Sequence, residues 1–184
     1  TDSTAMWFWQ ERPDGLAIID YYENDSKPLG HYFDVLDHKG YEFNNIWLPH
    51  DAKAKTLQTG RSTVEQFLAH YQDSDVKIDI VPHLTRQHGI DAARLILPLC
   101  WFDLEKTFNG IEALRAYRRK FNEATKAFSN EPLHDWASNG ADSFRYLALV
   151  TKDKLNIRLP DKLHSEFKPK TYPFNLNMLF DDNE

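Results

Sequence analysis

The hydrophobic positions change period along the chain, and each period predicts an element. Apolar and aromatic residues run through Ala5-Met6-Trp7-Phe8-Trp9 and again from Leu16 to Tyr22, joined by Arg12-Pro13-Asp14-Gly15. Two β-like runs on either side of a Pro-Asp-Gly turn predict an antiparallel hairpin. Leu29, Tyr32, Phe33 and Leu36 then recur at helical spacing and stop before Gly40, which predicts a short amphipathic helix from Pro28 to Lys39. Ile46-Trp47-Leu48 reads as a buried strand ending in Pro49-His50-Asp51. Ser62 or Thr63 caps a helix with Val64, Phe67, Leu68 and Tyr71 on one face, and Val76 to Val81 alternates as a strand up to Pro82. The succession β-β-α-β-α-β implies helices crossing over between parallel strands.

Helical periods follow from Gly89 to Leu99, from Ile111 to Ala127 and from Asp135 to Val150. In the second of these, Ile111, Leu114, Tyr117 and Phe121 face inward, while Arg115, Arg118 and Arg119 form a basic outer face. In the third, Trp136, Phe144, Leu147 and Ala148 face the core. Beyond Thr151 no period survives, so residues 1–150 are expected to form one α/β domain and residues 151–184 an extended tail.

Composition changes this picture little. A chain of 184 residues, 41% of them hydrophobic, can bury one full core but is short for two. Its net charge of −6 argues on average against phosphate binding, although a site that holds metal through clustered carboxylates gains negative charge of its own. The single cysteine, Cys100, lies in the apolar run Leu95 to Phe102 and reads as a buried small hydrophobe. No apolar stretch approaches the roughly 20 residues of a membrane span, and the compartment expected is a reducing cytoplasm.

Candidate chemistry lies at two places. Asp51 follows a strand, where active-site residues of open α/β sheets collect, although an Asp there is also an ordinary turn former. From Asp135 on, Asp135, Ser138, Asp142 and Arg145 form one polar stripe of a helix. Asp135 suits an N-cap, whereas a mid-helix Asp142 requires solvent or a partner such as Arg145. Hydrolysis of a phosphodiester by two divalent ions roughly 3.5–4 Å apart needs carboxylates brought together from different elements, and Asp51 and Asp142 are such a pair. His50 and His134 are possible helpers, and Lys53, Lys55 and Arg61 could hold a nucleic-acid backbone beside Asp51. His83 and His88 show no partner at ligand spacing.

Four segments carry a resemblance. Thr1 to Trp9, Leu48-Pro49-His50-Asp51-Ala52, Leu114 to Arg119, and His134-Asp135-Trp136-Ala137-Ser138-Asn139-Gly140-Ala141-Asp142-Ser143-Phe144-Arg145-Tyr146 resemble, in this order, the nuclease half of the large terminase subunit of tailed phages, the DNA-packaging motor. The resemblance covers residues 1–150. It implies an RNase H-like α/β fold, a mixed central sheet flanked by helices, with acidic metal ligands in the first strand, after the fourth strand and in a late helix. The second and third carry over to Asp51 and Asp142. The first falls in a strand expected upstream of Thr1, so the first strand is expected to be missing, and Asp2 matches a nearby downstream acid that could serve as a metal ligand at the edge of the site. Asn139 stands where relatives often have His.

The activity implied is an endonuclease that cuts concatemeric viral DNA during packaging, with two Mg²⁺ or Mn²⁺ ions as cofactors. The implied partners are double-stranded DNA, an upstream ATPase domain of the parent chain, the small terminase subunit and the portal protein, in the host cytoplasm and away from membranes. No Gly-x-x-x-x-Gly-Lys-Ser/Thr occurs, so ATP hydrolysis is not expected from these residues. Two further readings stay open: another RNase H-like nuclease such as a resolvase or transposase core, and a non-catalytic module that docks on DNA or on the portal.

Overall fold

A computed structural model describes residues 3–55 and 60–155. Ser3–Arg12 (β1) and Gly15–Asp25 (β2) form the expected antiparallel hairpin, with a register shift between Phe8 and Trp9. Its turn requires glycine: Gly15 has φ of +148°, and a Cβ there would lie 2.1 Å from the Leu99 carbonyl oxygen. Leu29–His38 (α1) follows, then Asn45–Leu48 (β3), a single 3-10 turn over His50–Lys53, and Thr63–His70 (α2). Ser62 caps α2 through a reciprocal capping box with Glu65. Lys77–Ile80 (β4) pairs in parallel with β3, so α2 is a crossover helix, as the alternation implies.

Arg86–Ile96 (α3) starts three residues before Gly89, because Thr85 accepts a cap bond from the His88 amide. Cys100–Phe102 (β5) then adds in parallel to β2, which makes the first sheet mixed, in the order β1-β2-β5. The short strand was hidden in an apolar run that gives no period. Phe108–Ala116 (α4) ends well before Ala127, the predicted limit of that helix. In its place come Arg119–Asn122 (β6) and Ala127–Pro132 (β7), an antiparallel hairpin. The Asn122 side chain accepts from the amides of Ala124 and Thr125, and this local bond competes with helix and sets the turn. Phe121 is therefore exposed, and Arg118 and Arg119 belong to the hairpin, so they do not share a helical face with Arg115. Trp136–Thr151 (α5) closes the fold with Asp135 as its N-cap.

Two hydrophobic clusters lie on opposite faces of the strands. One joins Trp7, Ile18 and Tyr21 to α3, α4 and α5 through Ile96, Leu114 and Phe144. The other joins Phe8 and Leu48 to α1 and α2 through Leu36 and Phe67. β1 and β3 each contribute to both clusters, Trp47 packing against the first and Leu48 within the second. β1 and β3 thus have helices packed on both faces, while β6 and β7 form a separate two-stranded sheet, a mixed α/β architecture. Among the described residues, β1 pairs only with β2 and β3 only with β4, so these two sheets are not joined by strand pairing. Trp136 departs from expectation: it is 61% exposed, because it sits at the first turn of α5, beside the groove described below.

Candidate functional site

The 3-10 turn after β3 presents Asp51 as an exposed carboxylate, with Ala52 buried beneath it. Asp142 lies on the second turn of α5 and is held from two sides. Arg145, one turn on, approaches it at 2.7 Å, and the Tyr117 hydroxyl donates to it at 3.2 Å. The Arg145 side chain is only 9% exposed and also donates to the Arg86 carbonyl, so the pairing that a mid-helix Asp calls for is present and largely sheltered. Burial and the neighbouring Asp142 push the Tyr117 hydroxyl up to about 12, so it remains a donor at neutral pH.

Tyr146, four residues beyond Asp142, feels the charge of both acids. Burial raises its hydroxyl most, the Arg145 cation opposes this, and the charges of both Asp142 and Asp51 raise it further. Its ring meets His50 edge-on at 6.3 Å, and His50 stacks on His83 at 4.2 Å. The residues from the end of β3 and the middle of α5 therefore converge around one tyrosine. His83 acquires a partner that spacing did not reveal, since β3 and β4 run parallel and a Pro-His pair follows each within three residues. His88 bonds Thr85 at the start of α3.

The other residues named from sequence fall nearby or elsewhere. Lys53, Lys55 and Arg61 are exposed; Lys55 bridges to Ser62, and both Lys55 and Arg61 help to hold the Glu65 carboxyl low, behind the larger effect of the Ser62 amide. Asp135 accepts from the Ala137 amide at 3.0 Å and lies 3.6 Å from Arg118, while His134 contacts the Ser138 hydroxyl. His134 and Asp135 line a groove of about 620 Å³ with Glu23, Asp25, Glu112 and Trp136, and neither Asp51 nor Asp142 is among its lining residues. Asp2 lies outside the described residues. Cys100 is half-buried, and burial pushes its thiol up to about 12, which leaves it a poor nucleophile.

A hard divalent ion prefers six or more oxygens, several of them from carboxylates. Asp51 and Asp142 supply two carboxylates, one already shared with a guanidinium. Among the described residues no three of His, Cys, Asp or Glu are grouped to hold a metal. The described donor set is therefore short of a two-ion site. No family model matches the chain, and no curated protein or solved structure is significantly similar to it.

Proposed function

We propose that the chain is the RNase H-like nuclease domain of a terminase-type DNA-packaging protein, an endonuclease acting on double-stranded viral DNA. The observation that carries this reading is the approach of the turn after β3 to α5: the ring of His50, next to Asp51, meets the ring of Tyr146, one helical turn beyond Asp142, at 6.3 Å. The mixed α/β layer and the crossover from β3 to β4 are compatible with it. The resemblance also calls for a further strand bearing the first acid; among the described residues β1 pairs only with β2 and β3 only with β4, which is compatible with it.

In this reading divalent ions, when bound, supply an activated water and neutralise the phosphate. The chain's own residues do the rest. Asp51 and Asp142 offer oxygen ligands, Arg145 and Tyr117 fix the orientation of Asp142, and Tyr146 and His50 pack the space between the acids. Lys53, Lys55 and Arg61 meet the DNA backbone. In this reading a further carboxylate would complete the ion site, and Asp2 is the acid of this chain that the resemblance offers for it.

The test is nicking of supercoiled plasmid in Mn²⁺ by this chain and by one extended upstream. Activity of either that disappears in both Asp51→Asn and Asp142→Asn supports the proposal. Absence of nicking in both chains, or activity indifferent to the two substitutions, overturns it.

A further inference from the structure

The β6–β7 hairpin has features the nuclease reading does not use. All four residues of β6 are exposed. Phe121 and Phe128 are direct cross-strand partners, their rings 5.1 Å apart and tilted at 65°, yet they remain 41% and 55% exposed. Such a pair helps hold a ribbon together, but that purpose is served equally by rings packed against the body of the protein. Large apolar groups left in water usually mark a contact surface.

The charge around the pair says what kind. Arg118, Arg119, Lys120 and Lys126 surround it, against two carboxylates, Glu123 and Glu131. Glu123 is paired with Lys126 and Glu131 with Arg86 of α3, so this acidic chain carries a local cationic excess here. The root of the hairpin is fixed to the candidate site: Tyr117 donates to Asp142, Arg118 faces Asp135, and the Leu133 amide bonds the Arg118 carbonyl at 2.8 Å. The ribbon is therefore rooted beside Asp142 and beside Asp135, which lines the groove.

We infer that the β6–β7 hairpin is a duplex-DNA grip, in which Lys120 and Lys126 contact phosphates and the Phe121–Phe128 pair packs against sugar or base surface in a groove. A two-stranded ribbon is of a size the major groove admits, exposed aromatics add stacking that does not depend on sequence, and lysines add affinity that depends on salt. The choice of DNA as partner rests on the nuclease reading and on this charge; the grip itself does not require catalysis.

The test is fluorescence anisotropy of a short fluorescein-labelled duplex, in EDTA, with the whole chain. Phe121→Val with Phe128→Val should weaken binding about tenfold with little change in salt dependence. Lys120→Ala with Lys126→Ala should reduce the slope of log affinity against log salt by about 2. Energy transfer from a dye on Thr125→Cys, in a chain otherwise unchanged, to an end-labelled duplex reports proximity even if a double variant folds poorly, and the half-buried Cys100, its thiol pushed up by burial, reacts slowly with the dye. Loss of affinity together with energy transfer supports the grip. Unchanged binding in both double variants, absent energy transfer, or a Phe variant that alters only self-association in gel filtration overturns it. Binding is measured without metal, so lost nicking with intact hairpin-dependent binding would count against the nuclease reading alone.

Discussion

Arg145 reaches back one helical turn to hold Asp142 at 2.7 Å. The carboxylate thus neutralises a nearly buried guanidinium, besides the ligand role proposed for it. Removing it outright leaves that cation without its partner. Asp142→Ala should therefore lower stability by about 1–3 kcal/mol, discounted for the 39% exposure of Asp142, while Asp142→Asn should cost less because its amide oxygen still accepts. Thermal melts of the two variants check this. An Asn variant as unstable as the Ala variant would show that the ion pair and not the hydrogen bonds dominates.

Asp135 is the N-cap of α5, accepting from the Ala137 amide. Asp135→Ala should cost about 1 kcal/mol, as lost caps do, and Asp135→Ser should recover most of it. Nicking should survive at most of its level in both. A folded Asp135→Ala that is inactive would move the site from Asp142 to the groove that Asp135 lines.

α4 and α5 approach the first hairpin closely. A Cβ at Gly110 would fall 2.3 Å from the Trp7 ring, itself 6% exposed, tilted against Tyr21 and edge-on to Phe144. Gly110→Ala should therefore destabilise by about 1–3 kcal/mol through overpacking, although alanine is the better helix former by about 1 kcal/mol. Urea denaturation followed by Trp fluorescence would measure it, and a stabilised variant would mean that the packing at Trp7 is looser than described.

Burial and nearby carboxylates raise the hydroxyls of Tyr71 and Tyr117 to about 12, against an ordinary value near 10. A group whose folded pKa is raised contributes stability that is complete below the unfolded value and is lost as pH climbs through the folded one. Stability should accordingly fall between about pH 10 and pH 12. Tyr117→Phe should make that fall shallower, as seen in denaturation midpoints and in tyrosinate absorbance across the same window.

Strongly patterned elements were legible from sequence. The hairpin of β1 and β2, α1, α2 with its Ser62 cap, the parallel pair β3 and β4, and α5 with its Asp135 cap follow from period and capping chemistry. The pairing of Asp142 with Arg145 was also readable, because a helix places residues three apart side by side. What escaped has physical causes. β5 is three residues inside an unbroken apolar run, and β6 and β7 were masked by Tyr117 and Phe121, whose spacing imitates a helix while the Asn122 turn breaks it. The meeting of His50 with His83 and with Tyr146 depends on parallel strands and on a helix packing near their ends, which no local spacing encodes.

The backbone around Asp142 is pinned to β1 on both sides. Trp7 Nε1 donates to the Gly140 carbonyl at 2.9 Å, and Ser143 Oγ donates to the Ala5 carbonyl at 2.8 Å. The second turn of α5 and the first half of β1 thus belong to a single cooperative opening unit, and local fraying of the helix cannot displace the acid without also breaking the buried Trp7 contact. Amide hydrogen exchange at Ala141 to Ser143 should match that of Trp7 and Phe8, and the acid's position should be lost only when the hairpin itself opens.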